Sequence, residues 1–455
     1  MHFSEQKKRL VVTLKLPLLL PSSFPPSIFP DMSPSRSAAV LLALLAGSAW
    51  AQTPTNEASE AGLTDPATEC TPANNFAPVA AAVASSAFPS IWLPVQSLLP
   101  NDSEGAAKFA AMSGSIPNIA PKGVLGVLNE TIEDTYPASD PDCWWTVATC
   151  VTPKAPGVNP DIASVPEPNT LGYGFDDGPN CSHNAFYDFL SEQKQKATMY
   201  YIGSNVIDWP YQAQRAIADG HEICVHTWSH RMMTAFTNEQ AFGELWYTMQ
   251  AIKLVTGVTP TCWRPPLGDV DDRIRYIAQQ LGLFTVLWKY NSNDWEVSAG
   301  SATPAQVQAN YNALVADAQS GAFDTVGAII LTHELNNYTM QTAIDNYKNL
   351  SAAFKHIVPV GVALNQTQPY VESNYTQQTF EQYINNEAAT PGNSTGSDAG
   401  TGTAAAPGSS STGSGSKSGS ASSGEATGSS SAVSVRSFSL TSVVLGLCGI
   451  VACLV

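Results

Sequence analysis

From Asn169 onward the chain alternates short apolar runs with amphipathic stretches, and this alternation limits the possible folds more than any other feature of the sequence. Strand-like runs are expected at Leu171 to Phe175, Ala197 to Ile202, Glu222 to Val225, Thr285 to Tyr290, Gly327 to Thr332 and Val358 to Leu364. Between them the pattern predicts helices over Trp209 to Asp219, Asn238 to Thr256, Asp271 to Leu281, Pro304 to Gln319 and Met340 to Phe354. Strands separated by helices of this length require right-handed crossovers. The fold class is therefore α/β with a parallel sheet, open or closed into a barrel. In either form, reactive groups belong at the carboxyl ends of strands.

The chemically loaded residues fall at those ends. Asp176 and Asp177 close the first run, just before a Gly178-Pro179 break. Adjacent carboxylates repel and favour a cation or a shared proton, although an Asp-Asp-Gly turn capping local amides is the bland reading. His226 and His230 follow the run ending at Val225, and His333 follows the run ending at Thr332. Histidines four apart lie on one face of a helical turn, so both rings can reach one ion. One carboxylate and two imidazoles leave positions open for water and substrate, as in a catalytic zinc-like site.

The two ends of the chain differ from this middle. Residues 1–51 read as a targeting segment, with a secretory signal over 32–51: Arg36, an apolar run from Ala38 to Ala46, and small residues at Ala49 and Ala51. Residues 1–31 carry a second basic-then-apolar stretch and leave both Met1 and Met32 open as the start, and a transmembrane anchor is disfavoured because the run is short. Residues 52–165 carry weak periodicity and read as an irregular leader packed against a catalytic domain at 166–385. A flexible Ser/Gly-rich stalk follows over 386–430, and 431–455 form a short apolar tail after small residues. That ending matches a glycosylphosphatidylinositol (GPI) attachment signal, with Ser429, Ser430 and Ser431 as candidate attachment sites; a tail-anchor helix is the alternative.

Secretion agrees with eight Asn-x-Ser/Thr sites, at Asn101, Asn129, Asn180, Asn337, Asn349, Asn365, Asn374 and Asn393. It also agrees with six cysteines outside the tail: Cys70, Cys143, Cys150, Cys181, Cys224 and Cys262. Up to three disulfides are expected, and the spacing does not choose among the pairings. The formal charge of −17 and the lack of a basic tract argue against nucleic-acid binding and favour a neutral or cationic partner.

GFDDGP (174–179), HTWSH (226–230), RPPLG (264–268), NSNDW (291–295) and LTH (331–333) stand in the order and roughly the spacings of the five motifs of the polysaccharide deacetylases, the carbohydrate esterases with a NodB-type domain. The chain resembles that family over about 169–364, under half its length, and with its targeting signals it looks like the family's fungal chitin deacetylases. The resemblance implies a distorted (β/α) barrel and a monomer bound to the cell membrane and wall through a GPI lipid. It also implies an amidohydrolase that uses one Zn²⁺ or Co²⁺ ion to remove N-acetyl groups from chitin, giving chitosan and acetate. Asp176 matches the family's general base, His333 its acid and Arg264 the arginine holding the base; Asp177, His226 and His230 match the metal ligands. On the substrate side, Leu267 matches an oxyanion donor through its N–H, and Trp295 and Leu331 match the acetyl-pocket walls. Asn291 stands where the family places the aspartate supporting the catalytic histidine, which predicts a lowered pKa for His333 unless Asp294, also placed at the substrate pocket, compensates. Deacetylation of another polysaccharide, such as xylan or peptidoglycan, and glycan binding without turnover are the competing functions.

Overall fold

The computed structural model describes residues 54–71 and 76–389. The signal at 32–51, the stalk beyond residue 389, the tail, Asn393 and Ser429 to Ser431 lie outside the described residues.

Nine short strands carry the catalytic half: β1 (Thr170–Gly172), β2 (Gly174–Gly178), β3 (Thr198–Tyr201), β4 (Glu222–Val225), β5 (Cys262–Trp263), β6 (Phe284–Thr285), β7 (Tyr290–Asn291), β8 (Ala328–Leu331) and β9 (His356–Val358). All their pairings are parallel, in two sheets ordered β9-β1-β8-β7 and β2-β3-β4-β5-β6. The sheets share two runs of chain. The stretch 170–178 pairs with β8 and β9 through its first half and with β3 through its second, changing sheets at Tyr173. The stretch 284–291 pairs with β5 at one end and with β8 at the other. The circuit closes at a parallel bridge between Asp176 and His333. Closure into a distorted barrel is thus observed, where periodicity alone left an open sheet equally possible.

The strands read as unbroken apolar runs because they are buried on both faces, as parallel strands covered by helices must be. Leu171, Phe175, Met199, Ile223, Val225, Trp263 and Ile329 are fully buried. The helices Asn238–Thr256 and Pro304–Gln319 end where expected, because the signals at their ends are strong. Thr237 with Gln240 and Thr303 with Gln306 form capping boxes, and Gly257 takes a left-handed φ of 82° just past the first helix. Several expectations change, among them the run Thr285 to Tyr290, which is strand only at its two ends. Val360–Ala363 is helical, since Pro359 cannot donate to a ladder and stops β9 at Val358. β5, two residues between Pro260 and Pro265, is too short to show a period. The helix Asn184–Glu192 follows the first motif without having been anticipated.

The leader is more ordered than its composition implies. Its described part holds helices Glu57–Ala61, Pro66–Glu69, Ala77–Ala84, Ser103–Ser113, Glu130–Asp134 and Trp145–Ala148, and a small hairpin of Gly123–Val124 with Val127–Leu128. Its end joins the barrel, where Ile162 bridges Val286. All six cysteines pair, as Cys70–Cys181, Cys143–Cys150 and Cys224–Cys262. Six of the sequon asparagines are exposed, but Asn180 is half-buried and donates its amide to the Leu335 carbonyl at 2.7 Å.

Candidate active site

The carboxyl end of β2 places the two aspartates at the mouth of the barrel, and the ladder sets their neighbours. Asp176 N–H donates to the Thr332 carbonyl, and Glu334 N–H donates to the Asp176 carbonyl, each at 2.9 Å. His333 is therefore locked beside Asp176 by backbone alone. Asp177 takes a left-handed φ of 72°, and Asn205 Nδ2 donates to its carbonyl at 2.8 Å. Gly178 is required because a side chain there would run into the Glu334 carboxylate.

His226 and His230 reach Asp177 from the loop after β4. This corrects the expectation of a helical turn: residues 226–230 form a loop, with positive φ at Thr227 (66°) and His230 (53°). The rings nevertheless converge, with Nε2 of His230 3.0 Å and Nε2 of His226 3.4 Å from Asp177 Oδ1. His226 Nδ1 lies 2.8 Å from the Arg264 carbonyl, which can only accept, so Nδ1 carries the proton and Nε2 presents a lone pair toward the carboxylate. Asp177 Oδ1 is buried and receives no aligned hydrogen bond. Acceptors facing one another in a buried place are what a cation resolves, so Asp177, His226 and His230 fit a divalent metal ion. Two further acid and cysteine groupings, at Asp140 and Glu222, involve only disulfide-bonded cysteines and offer no thiolate.

Asp176 is kept apart from this cluster. Its Oδ1 accepts from Arg264 Nη1 at 2.7 Å, while Oδ2 lies 3.7 Å from His226 Nε2. Arg264 comes from the end of β5 and is completely buried. Its guanidinium lies 4.0 Å from the Tyr200 ring centroid and 5.6 Å from that of Trp288, so aromatic faces stabilise a cation whose Nε and Nη2 find no hydrogen bond. Neither ring was anticipated. Tyr200 could have been found as the residue facing the barrel interior beneath the aspartate pair, but only once strand register is known.

Asp294 supports His333, the compensation for Asn291 that the sequence left open. Asn291 is exposed and its Oδ1 accepts from Asn293 N–H at 2.8 Å. Asp294 is fully buried; Oδ1 lies 2.6 Å from His333 Nδ1 and Oδ2 accepts the His333 N–H at 3.1 Å. With both oxygens so engaged, Asp294 faces the histidine rather than a substrate pocket. Burial pulls the His333 pKa down, but the Asp294 charge outweighs it and the imidazole is pushed up to about 9, so Asp294 compensates for Asn291. Leu331 is buried at the end of β8, and Trp295 starts the helix Trp295–Ala299. Leu267 is exposed at a φ of 56°, and its N–H has no acceptor among the described residues.

A fold and a site of this kind define a class. The sequence model of the family Polysaccharide deacetylase matches residues 164–286. The chain is 50% identical over 333 residues, 72% of each chain, to chitin deacetylase 2 of Cryptococcus neoformans var. neoformans. It is 47% identical over 374 residues, 76% of this chain and 81% of the relative, to chitin deacetylase 2 of Cryptococcus neoformans var. grubii. The chain belongs to the polysaccharide deacetylase family. Among solved structures it is similar to the chitin deacetylase of the fungal pathogen Colletotrichum lindemuthianum, at 21% identity and a TM-score of 0.41 over 48% of this chain and 96% of that one.

Proposed function

We propose that this chain is a metal-dependent hydrolase that removes N-acetyl groups from chitin, releasing acetate and leaving chitosan. The relatives named chitin deacetylase support the substrate. One observation carries the chemistry: a buried carboxylate and two imidazoles converge on an empty-handed oxygen, while a second carboxylate is held beside them by an arginine. Asp177, His226 and His230 would hold one divalent ion, Zn²⁺ or Co²⁺, which supplies Lewis acidity for the acetamide carbonyl and lowers the pKa of water.

The remaining work falls to the chain's own groups. Asp176 takes the proton of the attacking water, and Arg264 holds its Oδ1 so that Oδ2 is left facing the histidines. The N–H of Leu267 faces the oxygen on which charge develops. An amine leaves poorly unless protonated. His333 therefore gives up its Nε2 proton as the C–N bond breaks, with Nδ1 held by Asp294. Trp295 and Leu331 wall the acetyl pocket. The case for binding without turnover rested on Asn291 and on the Ser/Gly stalk, and Asp294 supplies the charge that Asn291 lacks.

The catalytic domain spans 166–385, and the enzyme acts as a monomer outside the cell. Three disulfides fit that compartment. The stalk and apolar tail support GPI attachment at Ser429, Ser430 or Ser431, so that activity sits on the membrane and wall. Among the described residues no helix is long and apolar enough to cross a membrane. Acetate release from defined N-acetylglucosamine oligomers tests the reading; no release from the metal-loaded protein would sink it.

A further inference from the structure

The leader touches the loops of the site at several places. Cys70 is bonded to Cys181, four residues past Asp177. Trp144 Nε1 and Thr146 Oγ1 donate to Asp269 Oδ1 at 2.8 and 2.6 Å, just beyond the turn that exposes Leu267. The third contact is the most extensive and falls on the two-histidine loop.

Trp228 and Ser229 lie between His226 and His230, and both are held from outside. Phe88 of the leader stacks on Trp228 with ring centroids 5.6 Å apart and planes 7° apart, and the Ser90 carbonyl accepts from Trp228 Nε1 at 3.1 Å. Trp92 N–H donates to Ser204 Oγ at 2.8 Å, and Ser204 Oγ–H donates to the Trp228 carbonyl at 2.6 Å. Beneath this sits Glu244, fully buried on the helix Asn238–Thr256. Its Oε1 accepts from Val95 N–H at 2.9 Å and Ser229 Oγ–H at 2.8 Å; its Oε2 accepts from Trp228 N–H at 3.0 Å and Ser229 N–H at 2.9 Å. One carboxylate therefore ties the leader to the loop.

The loop has reason to need this. Thr227 and His230 hold left-handed φ values that ordinary residues leave unless surrounding structure fixes them. Relaxation of either turns the His230 ring away from Asp177. A short loop has no ladder of its own, so the hydrogen bonds that pin it must come from elsewhere.

We infer that the leader is a built-in brace for the metal site: Phe88 to Val95, joined through Ser204 and the positioning residue Glu244, hold the His226 to His230 loop in its metal-receiving form. This rests on the metal reading proposed above. It makes the leader, outside the 164–286 segment of the family, part of the catalytic unit.

The test measures the zinc dissociation constant of the intact secreted protein by competition with a chromophoric chelator. It also follows hydrogen exchange at residues 227–230 and the melting of the metal-free form. In Glu244→Gln an amide replaces one acceptor oxygen and strands two donors, and zinc affinity falls about 10- to 100-fold, as for other groups that orient ligands. Ser204→Ala cuts the Trp92 to Trp228 relay with little change in packing and weakens zinc about 3- to 10-fold; Phe88→Ala acts in the same direction. Exchange at 227–230 speeds up in each, and in Ser204→Ala the metal-free melting temperature stays near that of the parent, a separation that a purely structural role does not give. Should Glu244→Gln fail to fold, Ser204→Ala and Phe88→Ala decide the matter. Parent-like zinc affinity and exchange in the folded variants overturn the inference while leaving the metal reading intact. A parent protein that binds no zinc removes both.

Discussion

Replacing Asp294 by Asn isolates the charge that prepares the proposed acid. His333 titrates at about 9 instead of 6.5 because the Asp294 carboxylate, 2.6 Å from Nδ1, outweighs a burial that acts in the opposite direction. That elevation corresponds to about 3 kcal/mol in favour of the imidazolium. Asn keeps the shape and an acceptor oxygen but not the charge, so burial dominates and the pKa falls below the ordinary 6.5. At pH 8 the parent histidine is about nine-tenths protonated and the variant's at most about 3%, a loss of at least about 30-fold in competent acid. The assay is kcat for acetate release across pH 5 to 10. The alkaline limb is expected to move from near pH 9 to below about 6.5, with the smallest loss at acid pH. The same pair bears on stability: a folded pKa raised above the unfolded value stabilises fully below pH 6.5, and that contribution is lost as pH rises through about 9. An Asp294→Asn enzyme with an unmoved alkaline limb would falsify the assignment of His333 and Asp294 as acid and support.

Asp176→Asn is expected to retain metal, measured by elemental analysis, while acetate release drops about two to four orders of magnitude, the usual cost of losing a general base. Asp177→Asn loses metal instead and regains part of its activity as Zn²⁺ is raised; the opposite pattern reverses the two roles. Chelation should abolish activity and Zn²⁺ or Co²⁺ restore it, so full turnover by verified metal-free protein counts against the site. Truncation before Leu440 should release soluble enzyme into the medium, whereas retention on the membrane indicates an anchor other than the tail.

Much of this protein is legible in its sequence because the relevant signals are local. Parallel strands buried on both faces must be apolar throughout, and helices with capping boxes and a terminal Gly257 announce their own ends. The five short motifs carried the site's membership, and Asp176, Asp177, His226, His230, Arg264 and His333 do meet at one mouth of the barrel.

Tertiary structure decided what depends on residues far apart in the chain. Whether the sheet closes rests on the pairing of the 170–178 run with β8, across more than 150 positions, and no periodicity encodes it. The carboxylate behind His333 is Asp294 rather than position 291 because the left-handed turn at Asn293 aims one side chain inward and leaves the other exposed. The histidine pair converges from a strained loop and not from a helix, since contacts from the leader and Glu244 add hydrogen bonds to the loop's own link between Thr227 and His230. The leader's sequence, poor in period and rich in small residues, specifies little alone; its order comes from disulfides and from the surface on which it lies.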